Sequence, residues 1–194
     1  MRSAIIFDLD GTITRPCLDF DAIRREMGLP PGRPILEEMD TLSPRQRAEA
    51  LAVLDRHEER AARESTLHDG ASETIAELHS QGHAVAVLTR NVRKWTRFVL
   101  EKHGIEVDAI RCRDDGIIKP SPLPVLELCR ELGAAPGQSW VIGDHRFDIE
   151  SGRQAGTRTI LLLSRPESRN CANLADYAVR SLPEIVPIVL SLNT

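Results

Sequence analysis

Four short, largely apolar runs recur along the chain, and a polar residue or a glycine follows each of them. They are Ala4–Phe7, Ala84–Leu88, Trp140–Ile142 and Thr159–Leu163. Runs of this length without polar alternation are typical of strands that are covered on both faces, as in a parallel sheet. Stretches with helical spacing of apolar residues separate them. The sequence therefore predicts an α/β fold with a Rossmann-like, three-layer core, in which a mostly parallel sheet carries helices on both faces.

Further elements are expected between and after these strands. The segments 107–112 and 175–179 are predicted to be short strands, and the segment 183–192 is predicted to be a closing helix. Other helices are predicted to begin near Ala71, Asn91, Ser121 and Asp148. Glycines follow the expected ends of several of these helices, where a left-handed residue commonly ends a helix.

The segment from residue 15 to residue 68 interrupts this alternation of strands and helices. Ser43-Pro44 predicts a helix start, because serine is a favoured N-cap and proline is favoured at the first helical position. The helix that follows is highly charged and carries one thin apolar stripe. The stripe consists of Leu51, Val53 and Leu54. We therefore expect a core domain built from 1–14 and 69–194, with 15–68 inserted as a small α-helical cap. A peripheral helical hairpin that only packs is the alternative.

Composition excludes several classes of protein. A chain of 194 residues suits one domain with a modest insertion. The net charge of −4 and the 4% aromatic content argue against nucleic-acid and anionic-lipid partners, which need basic patches or stacking rings. The four cysteines form no Cys-x-x-Cys pair, which disfavours a zinc or redox motif. No apolar run is long enough for a signal peptide or a membrane span, so we expect a cytoplasmic protein without a membrane partner.

The first run ends in Asp8-Leu9-Asp10-Gly11-Thr12. Alternate residues of an extended segment point the same way, so the carboxylates of Asp8 and Asp10 can face one site. Two carboxylates about 4 Å apart repel by about 4 kcal/mol at an effective dielectric near 20. A cation between them, or a proton on one of them, relieves this repulsion. The pair therefore indicates a functional site, although an Asp-rich turn after a strand is the alternative.

Polar residues also follow the other predicted strands. Thr89 ends the second apolar run, Lys119 precedes a predicted helix, and Asp144 and Asp148 follow Gly143. Ligands of open α/β sheets bind beyond the carboxyl ends of the strands, so we expect these side chains to share one site with Asp8.

Taken together, these residues resemble the four motifs of the haloacid dehalogenase superfamily, in order. The motifs are Asp-x-Asp-Gly-Thr after a strand, a Ser or Thr at a strand end, a Lys, and Gly-Asp-x-x-x-Asp, here 143–148. The resemblance covers nearly the whole chain and is to the phosphoglycolate phosphatase-like branch, with 15–68 where that family places its type-1 cap. Asp10 is typical of the phosphatase and phosphomutase members, because the dehalogenases lack an acid there and the transporting ATPases have Thr.

The resemblance and the residue chemistry imply roles for the two motif-one acids. Asp8 is the candidate nucleophile and would form an aspartyl-phosphate. Asp10 is the candidate general acid and base, which protonates the leaving alkoxide and later accepts a proton from the attacking water. Asp8, Asp144 and the backbone carbonyl of Asp10 are the candidate metal ligands, and oxygen donors of this kind suit Mg²⁺.

The remaining site residues are expected to bind phosphate or to support the ligands. Thr89, Arg90 and Lys119 are the candidate phosphate-binding residues, although Arg90 could equally be solvated. Asp148 is expected to hold Lys119 or metal-bound water, with Thr12 in the same supporting layer.

The function implied is Mg²⁺-dependent hydrolysis of a small phosphorylated metabolite, a phosphate monoester of the phosphoglycolate or sugar-phosphate type. A phosphomutase of the β-phosphoglucomutase kind shares all four motifs and is the nearest alternative. A regulatory phospho-acceptor of the receiver type and a non-catalytic binding protein are alternatives from other classes. Asp10 and the cap-sized insertion disfavour the receiver.

Overall fold

The computed structural model describes residues 3–191. Within that range one sheet contains six parallel strands in the spatial order β3-β2-β1-β4-β5-β6. The strands are β1 (Ala4–Phe7), β2 (Ala84–Leu88), β3 (Ala109–Arg111), β4 (Trp140–Gly143), β5 (Arg158–Leu162) and β6 (Tyr177–Val179). β1 therefore lies inside the sheet, where Ile6 is paired with Ala86 on one side and with Val141 on the other.

The same range contains eight α-helices. They are α1 (Phe20–Met27), α2 (Ile35–Met39), α3 (Pro44–Glu64), α4 (Ala71–Ser80), α5 (Arg93–Lys102), α6 (Leu123–Glu131), α7 (Arg146–Ala155) and α8 (Ile185–Ser191). Short 3₁₀ helices occur at Arg113–Asp115, Pro136–Gln138, Pro166–Leu174 and Leu182–Glu184. Among residues 3–191, no helix combines the length and the apolar composition that crossing a membrane requires.

Chain order and sheet order together place helices on both faces of the sheet. The chain passes through α4 and α5 towards β3 on one side of β1, and through α6 and α7 towards β5 on the other. Crossovers between parallel strands are right-handed, so these two pairs of helices cover opposite faces. α6 and α7 pack together over a buried cluster that includes Ile6, Leu88 and Val141. The predicted α/β, Rossmann-like fold is confirmed.

Two strands and the closing helix each begin two residues later than the sequence predicts. β3 begins at Ala109 rather than at 107, because the carboxylate of Asp108 accepts the Val85 amide at 2.8 Å and replaces a strand contact. β6 begins at Tyr177 rather than at 175. The closing helix is shorter than the predicted segment 183–192, since α8 begins at Ile185, and residue 192 lies outside the described residues.

Three further helices begin at other residues than predicted. α7 begins at Arg146, two residues before Asp148, because the side chains of His145 and Asp148 form a capping box. The N-cap of α6 is Pro122 rather than Ser121. The N-cap of α5 is Val92 rather than Asn91, whose side chain instead accepts the Val92 amide at 2.7 Å.

The chain divides into two compact units, one of Met1–Pro16 with Thr66–Thr194 and one of Cys17–Ser65. The second unit contains α1 to α3 around its own apolar cluster. Buried members of this cluster are Ile23, Ile35, Met39, Ala50 and Leu54. Ser43 caps α3 with Pro44 at the first position, as predicted. The predicted stripe on α3 is only partly correct, because Leu51 is 42% exposed while Leu54 is buried. Ala50 and Leu54 are four residues apart and share a face, which turns Leu51 away from the cluster.

Candidate active site

β1 ends in a tight loop that carries Asp8 and Asp10. The backbone N–H of Asp8 donates to the Ile142 carbonyl at 2.8 Å, so Asp8 remains anchored to β4. Beyond it, the amides of Ile13 and Thr14 both donate to the Leu9 carbonyl at 3.0 Å, which closes the loop. The loop therefore holds Asp8, a buried residue, and Asp10, a partly exposed one, at the carboxyl end of the sheet.

Lys119 connects the nucleophile candidate to two other elements. Its Nζ donates to Asp8 Oδ1 at 2.6 Å, to Asp148 Oδ1 at 2.6 Å and to the Leu88 carbonyl at 2.7 Å. An ammonium has three N–H donors, so these three bonds use all of them. Lys119 thus fixes the carboxylate of Asp8, and an incoming phosphate would have to share or replace one of these acceptors.

Asp148 lies between Lys119 and the start of α7. Its Oδ1 accepts the bond from Lys119, and its Oδ2 accepts the His145 amide at 3.0 Å. A Cβ atom at position 143 would overlap the Asp148 carboxylate, so Gly143 provides the space for it. The spacing of Gly-Asp-x-x-x-Asp follows from this arrangement, because its last acid must fold back over its glycine.

Burial shapes the protonation of this cluster. Burial raises the pKa of Asp8 to about 8. The charge of Lys119 acts in the opposite direction, whereas the charges of Asp148 and Asp144 add to the increase. Burial also raises the pKa of Asp144 to about 6, against the opposing charge of Arg165. Burial alone would lower the pKa of Lys119, but the charges of Asp148 and Asp8 outweigh it and hold that pKa above its usual value. The acids therefore favour a bound cation or a proton.

Asp10 has a different set of partners. The side-chain amide of Asn91 donates to Asp10 Oδ2 at 3.1 Å. Burial raises the pKa of Asp10, while the bond from Asn91 and the charge of Lys119 act in the opposite direction. Asp10 therefore tends to retain a proton that it could transfer, as a general acid must.

Arg165 approaches the acidic cluster from the loop after β5. Its Nε lies 2.6 Å from Asp144 Oδ2, and its Nη2 lies 3.4 Å from the Asp10 carbonyl oxygen. Ser164 Oγ donates a hydrogen bond to Asp144 Oδ2 at 3.3 Å. Gly11 turns at φ 98°, and a Cβ there would collide with both Arg165 and Asp144. Because residue 11 is glycine, there is room for a cationic group beside the Asp144 carboxylate and the Asp10 carbonyl oxygen.

The donor atoms suit a divalent cation. One carboxylate oxygen each from Asp8, Asp144 and Asp148 lie within 4.8 Å of one another. The guanidinium of Arg165 already contacts two expected metal donors, the carboxylate of Asp144 and the carbonyl of Asp10. Carboxylate and carbonyl oxygens are the ligands that hard divalent cations prefer. These residues could hold such an ion.

The other predicted residues lie close to this cluster. Thr89 is buried at the end of β2, and its Oγ1 accepts the Asn91 amide at 3.1 Å. Arg90 donates to the Lys119 carbonyl at 2.7 Å and stacks on the Phe147 ring at 4.6 Å, so its guanidinium links two site segments. Thr12 is buried in the first loop, and its hydroxyl has no hydrogen-bond partner among residues 3–191.

Sequence reasoning missed two residues of the site, Asn91 and Arg165. The sequence pattern places Asn91 only at the predicted start of a helix. Ser164-Arg165 follow β5, which neighbours the strand of Asp144. The rule that ligands bind at strand carboxyl ends could have identified Arg165, because it applies to every parallel strand.

Comparison with known proteins agrees with the motifs. The family model described as haloacid dehalogenase-like hydrolase matches residues 18–162. The chain is 32% identical over 179 residues to an N-acetylmuramic acid 6-phosphate phosphatase of Pseudomonas aeruginosa, covering 80% of this chain and 79% of that protein. It is 27% identical over 209 residues to the pyrophosphatase PpaX of Halalkalibacterium halodurans, covering 96% of each.

Solved structures share the fold. A predicted phosphoglycolate phosphatase from Haemophilus somnus 129PT superposes with a TM-score of 0.76 at 22% identity, covering 96% of this chain and 97% of that chain. A hydrolase from Pseudomonas syringae has a TM-score of 0.82 at 19% identity, covering 98% and 99%. At these identities the structural similarity shows only the fold. The family model and the relative at 32% identity show the family. The chain belongs to the haloacid dehalogenase-like hydrolase family.

Proposed function

We propose that this protein is a Mg²⁺-dependent phosphatase that hydrolyses a small phosphate monoester through an aspartyl-phosphate on Asp8. The observation that carries the proposal is the pairing of two different acids in one loop. Asp8 accepts a hydrogen bond from Lys119 at 2.6 Å, whereas Asp10 accepts one from the Asn91 side chain at 3.1 Å and has no such bond from Lys119 among the described residues. One acid is thus placed to attack and the other to transfer a proton, the division of roles that phosphoryl transfer to water requires.

The proposed reaction has two steps. In the first, a carboxylate oxygen of Asp8 bonds to phosphorus, the bond from phosphorus to the leaving oxygen breaks, and Asp10 gives that oxygen a proton. In the second, water attacks the phosphorus, Asp10 takes one of its protons, and Asp8 is released with inorganic phosphate. The Thr89 hydroxyl is available to bind a phosphoryl oxygen, and Lys119 keeps Asp8 in position.

The metal of this proposal would be held by Asp8, Asp144 and the backbone carbonyl of Asp10. Hydrolases of this family generally use a divalent metal, and the acidic cluster suits one. We propose Mg²⁺ because it binds through few carboxylates together with substrate phosphate. A bound Mg²⁺ would neutralise charge on the phosphoryl oxygens and on the acidic cluster.

The proposed substrate class is a sugar phosphate or a similarly small phosphate ester. The relative at 32% identity, named for N-acetylmuramic acid 6-phosphate, supports a phosphorylated sugar. The test is phosphate release from a panel of hexose 6-phosphates, amino-sugar phosphates, 2-phosphoglycolate and pyrophosphate. We expect one or more of the monoesters to be hydrolysed in Mg²⁺ and none in excess chelator. No hydrolysis of any monoester would contradict the proposal.

The same panel distinguishes a phosphatase from a phosphomutase. A phosphomutase needs a sugar bisphosphate to restore its phosphoenzyme and returns an isomeric sugar phosphate. We expect free phosphate without added bisphosphate, because Asp10 can serve as the base for water. An isomerised sugar phosphate that appears only with bisphosphate would instead identify a mutase.

Metal binding is expected to depend on pH. The pKa values of Asp8 and Asp144, raised to about 8 and about 6, mean that protons occupy these acids at low pH. A metal must displace them, so Mg²⁺ affinity should increase as pH rises from about 5.5 to about 8.5. Because the folded pKa values are raised, these two groups also destabilise the metal-free protein as pH rises through this window.

Calorimetry and thermal unfolding at the two ends of this pH window test that expectation. The increase in melting temperature caused by Mg²⁺ should be several degrees larger at pH about 8.5 than at about 5.5. Asp8→Asn should lose most of the difference, since the ligand with a pKa of about 8 exchanges most of the protons in this window. A pH-independent stabilisation would show that these acids do not exchange protons for metal.

Removing Arg165 should strengthen metal binding. Its guanidinium lies 2.6 Å from Asp144 and 3.4 Å from the Asp10 carbonyl, where it competes for two metal donors. Arg165→Gln also removes a positive charge beside the cation. Both effects have the same sign, so we expect the Mg²⁺ dissociation constant to fall by at least about tenfold. Arg169→Gln on the same loop is the control, and an unchanged or weaker affinity in Arg165→Gln would contradict the prediction.

The unit Cys17–Ser65 is proposed to act as a cap that limits substrate size. The proposal rests on its insertion directly after the loop of Asp8 and Asp10 and on its separate apolar cluster. Closure over a substrate would exclude water and large molecules. Small esters should therefore be hydrolysed well and a phosphopeptide hardly at all. Similar kcat/KM values for a three-carbon phosphate and a phosphopeptide would contradict this.

A further inference from the structure

The side chain of Asn91 joins the loop after β2 to the loop after β1. Its Nδ2 donates to Asp10 Oδ2 at 3.1 Å, and the residue is only 5% exposed. Asp10 is eighty-one positions away in sequence, so the bond is a tertiary contact between two site loops. A helix-capping role for Asn91 does not require this contact.

The orientation of the amide is fixed by a second bond. Asn91 Oδ1 accepts the backbone N–H of Val92 at 2.7 Å. A backbone N–H can only donate, so the oxygen must face Val92 and the NH₂ group must face Asp10. The group that meets Asp10 is therefore a donor, and Oδ2 of Asp10 is the acceptor.

The backbone of Asn91 is also fixed, by residues that follow β3. The Asn91 carbonyl accepts the Arg113 amide at 2.9 Å, and the Arg90 carbonyl accepts a bond from the Arg113 guanidinium at 3.0 Å. The backbone N–H of Asn91 donates to Thr89 Oγ1 at 3.1 Å. These bonds do not involve the Asn91 side chain. The side chain can therefore be changed while its loop and Thr89 stay in place.

We propose that Asn91 is a positioning residue for the phosphatase reaction, which holds Oδ2 of Asp10 so that Oδ1 is the oxygen that exchanges protons with substrate and water. A donor on Oδ2 makes that oxygen the acceptor and leaves the acid proton on Oδ1. In the first step the Asp8–phosphorus bond forms, the bond from phosphorus to the leaving oxygen breaks, and the leaving oxygen gains the proton from Oδ1. In the second step the water oxygen bonds to phosphorus, the Asp8–phosphorus bond breaks, and Oδ1 takes a proton from the water. The inference rests on the proposed function and adds a residue to it.

Asn91→Asp separates positioning from structural support. The new carboxylate keeps an oxygen for the Val92 amide but presents a second oxygen, rather than a donor, to Asp10. We expect kcat for an alkyl phosphate to fall by about 10 to 100-fold, part of the full effect of a general acid and base. With p-nitrophenyl phosphate, whose leaving group needs no proton, the loss in the first step should be less than about threefold. Because the new negative charge also repels the phosphate of both substrates, the ratio of alkyl to aryl rates is the readout rather than KM.

Asp114→Ala is the matched control. Asp114 accepts the Arg93 amide at 3.1 Å at the start of α5, so its loss disturbs the same helix end without touching Asp10. It should leave the ratio of alkyl to aryl rates unchanged. If Asn91 only supported α5, Asp114→Ala would resemble the Asn91 variants, and Asn91→Leu would be damaging while Asn91→Asp would be near the wild type.

A double substitution tests the route of the effect. In an Asp10→Asn background, Asn91→Asp should cause almost no further loss with the alkyl substrate, because the group it positions is gone. If the losses in rate caused by the two substitutions multiply instead, the inference is overturned. An unchanged alkyl to aryl ratio in Asn91→Asp, in an enzyme that hydrolyses the panel, would overturn this inference and leave the proposed function standing.

One readout is independent of turnover. The side-chain amide protons of Asn91, observed by NMR, should shift when Asp10 is replaced by alanine. They should keep their positions in Asp114→Ala. Unchanged amide signals in Asp10→Ala would show that the bond is not formed in solution and would overturn the inference, whatever the substrate proves to be.

Discussion

Asp8→Asn is expected to abolish hydrolysis of every phosphate ester, with a loss of about 10⁴-fold or more in kcat. The carboxamide cannot attack phosphorus, so neither an aspartyl-phosphate nor free phosphate should form. The variant should fold, because Lys119 keeps its bonds to Asp148 and to the Leu88 carbonyl at 2.6 and 2.7 Å. Burial disfavours the charged form of Asp8 and raises its pKa to about 8. The substitution removes this disfavoured carboxylate. Phosphate release and thermal unfolding measured on one preparation check both expectations.

One outcome would argue against the role of Asp8, and another would call for a second variant. Substantial turnover by a folded Asp8→Asn protein would mean that another group attacks phosphorus. Loss of folding would show that the bond from Lys119 is chiefly structural, and Asp8→Glu would then serve as the second variant. The longer side chain keeps the charge for Lys119 but displaces the nucleophile, so it should restore folding without activity.

Asp10→Asn is expected to show an effect that depends on the leaving group. The nucleophile remains, but the proton donor and base is removed. p-Nitrophenol leaves without a proton, so a burst of p-nitrophenol should be observed, whereas an alkyl phosphate should lose nearly all reaction. The loss with the alkyl substrate should be about 10²–10⁴-fold, the usual size of general acid and base catalysis. Rapid-mixing kinetics with the two substrates measure the difference.

After the burst the Asp10→Asn enzyme should stall, because the attacking water has lost its base. Labelled phosphate should then remain bound to the protein. Equal losses with aryl and alkyl substrates, without bound phosphate, would show that Asp10 supports the loop or the metal site rather than transferring a proton. Asn91 is expected to remain in place, since its other bonds do not depend on Asp10.

The location of the site could be predicted because one rule applied to several residues. Asp8, Thr89 and Asp144 each follow an all-apolar strand, and in a parallel sheet the strand ends meet at one edge. The structure places all three there, with Lys119 between Asp8 and Asp148. Their catalytic roles remain predictions that the substitutions above test.

The contacts that orient the site could not be predicted from the sequence. The Asn91 side chain bonds to Asp10 only because the loops after β1 and β2 lie side by side, which sequence spacing does not reveal. Arg165 lies in a Ser-Arg-Pro segment that has ordinary loop composition, yet its guanidinium reaches Asp144. The exposure of Leu51 could not be predicted either, because three apolar residues in a short segment do not define which face of a charged helix is buried.

The central claim is that Asp8 carries the phosphoryl group. The most direct measurement is to treat Asp10→Asn with p-nitrophenyl phosphate in Mg²⁺, reduce the trapped protein with borohydride, and sequence its peptides by mass spectrometry. Reduction of an aspartyl-phosphate yields homoserine, so we predict homoserine at position 8 and aspartate at positions 144 and 148. Homoserine at another position, or unmodified Asp8 in protein that retains phosphate, would contradict the claim.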